Sequence, residues 1–180
     1  MKSKAEVIKA ELAGKRVLDI GGCGFGADNA YERQLREAWD VVASRTTVDS
    51  SDRADILADL NLGLPTLPLH QWDITTAFDI LEHLENPVAV LRSIPTEQVI
   101  VSLPNVLSPF CRRLEKIDLL HLYSFTDYTA RTLLTAAGWQ IEQLYYTFGK
   151  WSWASRLINA IGSLAPAWVG TGLMIHCRRK

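Results

Sequence analysis

The chain of 180 residues has little cysteine: Cys23, Cys111 and Cys177 stand far apart, in no Cys-x-x-Cys pair. An odd count without zinc-like Cys/His spacing gives no disulfide framework and no expected metal. Excess charge is missing too, with 19 Lys and Arg against 20 Asp and Glu for a net charge of −1. A nucleic-acid backbone asks for a strongly basic face, so nucleic acid is not an expected partner. The opening MKSKAEVIKAELAGKR lacks the apolar core of a secretory signal. A chain that starts at Met1 and works in the reducing cytoplasm is the expectation. Repeats, low-complexity stretches and linkers are also lacking, so residues 1–180 are read as a single domain. At 48% hydrophobic, such a domain buries roughly two-thirds of its unfolded surface without staples.

One stretch is short of charge. Residues 157–177 contain no Asp, Glu, Lys or Arg, and Arg178, Arg179 and Lys180 follow. The length suits a bilayer span, but Gly162, Pro166, Gly170 and Gly172 interrupt it. The run therefore reads as a short amphipathic helix at 153–164 and a terminal strand at 172–178. Residues 151–169 form a variable helical segment, a candidate for lipid or membrane-surface contact or for a homodimer face. A helix packed on the sheet is the plainer alternative.

Apolar, β-branched runs alternate with helix-length segments, the pattern of a parallel sheet covered on both faces. Strands are expected at 16–20, 43–49, 55–59, 73–79, 98–104, 139–147 and 172–178. Helices fit at 4–12, 27–39, 87–93 and 126–137, the last opened by Thr126 and closed by Gly138. The fold class is α/β: a Rossmann-like, doubly wound, mostly parallel seven-stranded sheet with an antiparallel final strand. Pro65 and Pro68 make 61–72 a loop, and the long mixed insert 106–125 is a candidate lid.

The chemistry concentrates in RVLDIGGCGFG at 16–26: a strand, an acid, then four glycines in six positions. Gly21, Gly22 and Gly24 let the chain turn tightly and offer backbone N–H groups to a carboxylate or phosphate. Gly22, Gly24 and Ala27 also satisfy the dinucleotide pattern GxGxxG/A. Asp19 argues against a pyrophosphate, which it would repel, and for a cationic ligand such as the α-ammonium of S-adenosylmethionine; capping of the following turn is its alternative role. Asp49, with Ser50 in VDSS, stands where an acid accepts ribose hydroxyls, unless it only closes an Asx turn with Ser50 and Ser51. Asp59 and Leu60 in ADLN suit the amine and face of an adenine, with a turn role for Asp59 equally open.

Together these segments resemble the class I S-adenosylmethionine-dependent methyltransferases, and within them the small-molecule, ubiquinone- and methionine-pathway-like group (methyltransferase type 11). VLDIGGCGFG is similar to the glycine-rich first motif, and WDITTAFDILEHLENP to the fourth strand with its Leu-Glu-His-Leu signature. SLPN at 102–105, HLYSFT at 121–126 and AAGWQIEQ at 136–143 continue the likeness. Cys23 departs from D-x-G-x-G-x-G, the helix before the fourth strand is replaced by a loop, and the usual Pro-Gly-Gly turn before the fifth is absent. The resemblance implies methyl transfer from S-adenosylmethionine to a small molecule, most naturally an oxygen acceptor. It also implies that Phe78 and His83 shape the cofactor pocket.

His121, with Tyr123 beside it, is the candidate base. Asn105 and Phe110 are candidate substrate contacts, although aromatics there equally suit core packing. A cofactor-binding partner subunit of the same fold, without transfer activity, is the alternative that the Cys23 irregularity leaves open.

Overall fold

A computed structural model describes residues 3–23, 30–109, 111–112, 120–147 and 166–180. Helix α1 (Lys4–Glu11) leads into β1 (Arg16–Ile20), α2 (Ala30–Ala38), β2 (Ser44–Asp49) and the two-residue β3 (Ile56–Leu57). Then come β4 (Ile74–Phe78), α3 (Pro87–Ser93), β5 (Gln98–Pro104), α4 (Asp127–Ala136), β6 (Trp139–Thr147), α5 (Pro166–Val169) and β7 (Gly172–Arg179).

The seven strands form one sheet in the order β3-β2-β1-β4-β5-β7-β6. Strands β1 to β5 pair in parallel, and β7 runs antiparallel between β5 and β6. The central strands are apolar at successive positions because helices cover both faces. On one face Val17, Ile74, Ile100 and Met174 pack against Val7, Ile8 and Leu12 of the α1 segment. On the other, Leu18, Ile20, Val99 and Val101 meet Val90 and Leu91 of α3 and Ala130 and Leu134 of α4.

Local chemistry sets the ends. Ser3 and Glu6 close a capping box on α1, and Thr126 with Thr129 does the same for α4. Gly138, at φ +92°, ends α4 in a conformation that favours glycine.

The expected strands at 16–20, 98–104 and 139–147 match residue for residue. β3 is shorter than expected, since only Ile56 and Leu57 find partners, against Val48 and Asp49. Residues 60–62 form a 3₁₀ turn and the loop beyond carries no helix up to β4. Of the 157–177 run, the expected terminal strand is present as Gly172–Arg179, while the helix expected at 153–164 lies outside the described residues. No helix among the described residues is long and apolar enough to cross a membrane.

Trp139 starts β6 with no exposed surface and donates its indole N–H to the Leu91 carbonyl at 3.0 Å. It joins β6, α3 and the core in one side chain. Trp139→Ala is expected to cost about 3–5 kcal/mol in urea unfolding, and Trp139→Phe about 1–2 kcal/mol. Equal midpoints for Trp139→Ala and wild type would refute this account of the core.

Candidate functional site

The carboxyl ends of the parallel strands meet along one sheet edge, and the strand order reverses between β1 and β4, which places a crevice there. The glycine turn leaves β1 at this point. Gly21 takes φ +75°, and a Cβ on it would lie 2.5 Å from Ile80 Cγ1, so β4's continuation fills the space a side chain would need. Its N–H donates to the Val48 carbonyl at 2.8 Å, tying the turn to β2. Gly22 is equally closed to a side chain, because the Asp19 carboxylate and the Arg45 guanidinium press against it.

Asp19, expected to face a cationic ligand, holds a cation of the chain itself in this structure. It is 2% exposed. Arg45 Nε donates to Oδ2 at 2.8 Å, with Nη2 on the same oxygen, and Thr76 Oγ1 donates to Oδ1 at 2.6 Å. Arg45 also donates to the Gly22 carbonyl at 2.9 Å and lies 4.4 Å over the Trp39 ring. Burial pushes the Asp19 carboxyl above the usual carboxylate range, and the Arg45 charge only partly pulls it back.

Asp49 ends β2 half-buried, its Oδ2 accepting the Cys23 N–H at 3.0 Å and Oδ1 the Ser51 N–H at 3.0 Å. The Asx turn is thus formed, and the same carboxylate reaches across to the glycine turn. Each carboxylate oxygen has a second lone pair for a further donor. Arg53 donates to the Cys23 carbonyl at 2.9 Å, so that residue is held at both ends of its peptide. Ser50 is exposed beside Asp49. Asp59 takes the turn role: its Oδ1 accepts the Asn61 N–H at 2.9 Å and caps the 3₁₀ turn in which Leu60 is buried. Gly24 and Phe110 lie outside the described residues.

Beyond β4, Asp79 holds φ +49°, uncommon for a residue with a side chain. It accepts Ser102 Oγ at 2.7 Å and pairs with Lys4, reaching in from α1. Burial pushes the Lys4 ammonium down to about 8, against the opposing pull of Glu82. Phe78 is buried against Trp39, with ring centroids 6.1 Å apart, on the α1/α2 face.

The 3₁₀ turn Leu81–His83 follows. The Glu82 carbonyl accepts two N–H groups, from Leu122 at 2.8 Å and Tyr123 at 3.2 Å. This folds the end of the expected lid back onto the strand terminus. His121 meets His83 edge to face, with centroids 4.6 Å apart, and Tyr123 donates its hydroxyl to the Glu85 carbonyl at 2.9 Å. His83, His121 and Tyr123 are therefore neighbours. Asn105 is not with them: fully buried, it donates both amide hydrogens at 2.8 Å, to the Ala167 and Gly170 carbonyls. Its place is a clamp between β5 and the segment before β7, which leaves no amide hydrogen for a substrate.

A cavity of about 240 Å³ opens on the α2 side of the glycine turn, lined by Gly22, Cys23, Leu35, Arg36, Trp39, Arg45 and Arg53. Asp49 and the two histidines are not among its described walls. Sequence reasoning passed over Arg45, Thr76, Lys4, Asp79 and Glu82; an arginine in a β2 run whose other charge is the terminal Asp49 was the one available signal.

No protein-family model and no curated protein matches the sequence. Solved structures do. The chain is similar to an S-adenosylmethionine-dependent methyltransferase from Archaeoglobus fulgidus, with TM-score 0.64 and 19% identity over 96% of this chain and 88% of that one. It is also similar to the small RNA methyltransferase HEN1, at 0.65 and 15%, covering 98% of this chain but 24% of that one. The [4+2]-cyclase SpnF matches at 0.58 and 15%, over 97% and 80%. Identities this low establish a shared fold, the Rossmann-like sheet of the methyltransferases, and leave activity to the site.

The Asp19 cluster makes a pH-dependent prediction. An acid whose native pKa is raised binds its proton more tightly folded than unfolded, so its contribution is greatest below the unfolded value and is withdrawn as pH rises through the native one. Arg45→Met removes the cation that limits this loss. Its destabilisation in urea should reach about 2–3 kcal/mol near pH 7.5 and shrink towards pH 5, moderated because Arg45 is partly exposed. Adding Asp19→Asn should abolish the pH difference between the single variant and wild type. A destabilisation flat with pH would show that Asp19 is not the partner that matters.

Proposed function

We propose that this chain, which carries the fold of the class I S-adenosylmethionine-dependent methyltransferases, binds S-adenosylmethionine and transfers its methyl group to the oxygen of a small molecule. The observation that carries the reading is Asp49 at the carboxyl end of β2, hydrogen-bonded to the glycine turn at the switch point of the sheet. An acid there accepts the two ribose hydroxyls while the turn's backbone meets the rest of the ligand. Gly21 and Gly22 keep that approach free of side chains. The cofactor supplies the reactive carbon. The protein has to hold the acceptor in line behind the sulfonium and keep water out, which is worth several kcal/mol.

On this reading the acceptor lies between the glycine turn and the 3₁₀ turn at Leu81–His83, with His121 as the base and His83 and Tyr123 shaping the pocket. Proton transfer to His121 contributes only if the acceptor is a hydroxyl or phenol; a carboxylate acceptor needs none. A small molecule fits the near-zero net charge better than RNA does.

One observation favours a second reading, a protein of this fold that does not transfer a methyl group. Arg45 already answers the Asp19 charge, which removes an anion that would attract the cofactor's α-ammonium. The likeness to a cyclase fits the same alternative. Calorimetry with S-adenosylmethionine and S-adenosylhomocysteine, with NAD as control, tests cofactor choice. Asp49→Asn and Asp49→Ala should weaken adenosyl-ligand binding by about 10–100-fold, the loss of one or two charge-assisted hydrogen bonds. Methyl-labelled cofactor incubated with phenols and hydroxylated small molecules then separates the two readings. Binding without turnover on any acceptor favours the second; preference for NAD overturns both.

A further inference from the structure

The turn after β4 brings together three side chains that sequence spacing does not connect. Glu82, His83 and His121 each present a donor atom, and all three atoms lie within 4.8 Å of one another. Glu82 is 1% exposed and both histidines are half-buried, so the trio is set into the turn after β4 rather than standing on the open surface. The backbone holds it: His121 lies between Leu120, whose carbonyl is 3.2 Å from His83 Nδ1, and Leu122, whose N–H binds the Glu82 carbonyl.

That contact at His83 has a chemical consequence. A carbonyl can only accept, so Nδ1 carries the hydrogen and Nε2 keeps its lone pair. A backbone carbonyl on one imidazole nitrogen is the arrangement that orients histidine ligands in metal sites. Two imidazoles and one carboxylate form a nitrogen-rich, borderline donor set that suits zinc, cobalt, iron or nickel and suits magnesium poorly. Donors bound to a common ion at about 2.1 Å lie roughly 3–4 Å apart, so the trio needs to close by about 1 Å, within reach of a change in imidazole rotamer.

We propose that Glu82, His83 and His121 bind a divalent transition-metal ion that fastens residues 120–123 to the end of β4 and leaves at least one coordination position open to the crevice. The site itself stands on these residues alone. The role of its open position rests on the methyl-transfer reading: there it takes the acceptor's hydroxyl or phenol oxygen and favours the oxyanion. The proton leaves to solvent, an oxygen lone pair forms the new O–C bond, and the C–S electron pair stays on sulfur. The acceptor class is then a hydroxyl or phenol that ligates a metal, and His121 is a ligand rather than the base.

The test uses untagged, chelator-treated full-length protein titrated with Zn²⁺, Co²⁺ and Mg²⁺, with His83→Ala, His121→Ala and Glu82→Gln beside the exposed-loop control His70→Ala. Circular dichroism confirms that each variant is folded. One equivalent of Zn²⁺ and Co²⁺ should bind to wild type and His70→Ala, with the visible bands of low-coordinate Co²⁺. Affinity should fall by about a hundredfold or more in either histidine variant, beyond what loss of a supporting hydrogen bond does. Glu82→Gln, which keeps the shape, should weaken binding through charge alone. No stoichiometric binding, binding of Mg²⁺ alone, or affinities indifferent to the histidine substitutions would overturn the proposal. Titrating the same samples with S-adenosylmethionine separates the two ideas: cofactor binding without metal removes the metal site, and metal binding without cofactor removes the methyl-transfer role.

Discussion

A single buried carboxylate holds the middle of this sheet together. Asp19 sits on β1 and bonds Arg45 of β2 on one side and Thr76 of β4 on the other, so three adjacent strands share one charge cluster. Taking two ions out of water costs several kcal/mol each, and that cost is offset only where geometry and extra hydrogen bonds are good. Here Arg45 adds a bond to the Gly22 carbonyl and a stack on Trp39. The conformation of the glycine turn and the placement of the segment after α2 therefore follow from the same ion pair. Neither Gly21 nor Gly22 could carry a side chain without displacing it or Ile80, two residues beyond β4.

That internal commitment changes the electrostatics of the crevice. With Asp19 answered by Arg45, the acid left beside the glycine turn is Asp49, half-buried and already sharing its oxygens with Cys23 and Ser51. A ligand hydroxyl that joins Asp49 shares it with the glycine turn, so ligand binding and the order of that turn are linked through one side chain. Arg53 on the Cys23 carbonyl closes the link from the other side.

Much of the frame was legible because it depends on local pattern. Short runs rich in apolar and β-branched residues mark buried parallel strands, and Thr126 and Gly138 mark the ends of α4. Less of the site was legible, because its key pairings depend on register. Arg45 reaches Asp19 across 26 positions only when β1 and β2 align Val17 with Arg45. Asn105 reads like a substrate contact at the end of β5, yet the antiparallel insertion of β7 brings the Gly170 carbonyl onto it. Asp59 was evenly balanced in sequence between adenine and turn, and its short spacing to Asn61 decided for the turn.

The two sides of the crevice are built differently, and this bears on how such a fold diversifies. The glycine-turn side rests on strand ends and a tight turn, whose geometry is fixed by the sheet and by buried charge. The opposite side rests on a few hydrogen bonds from residues about 40 positions onward, two of them into the Glu82 carbonyl, with the Tyr123 hydroxyl on Glu85 and the Leu120 carbonyl on His83. Such a junction tolerates insertion and replacement in the connecting chain, because only its last few residues need to return to the strand. A sheet of this kind supports an RNA methyltransferase and a cyclase as well as small-molecule enzymes. The contact between His83 and His121 is made by this returning segment rather than by the sheet.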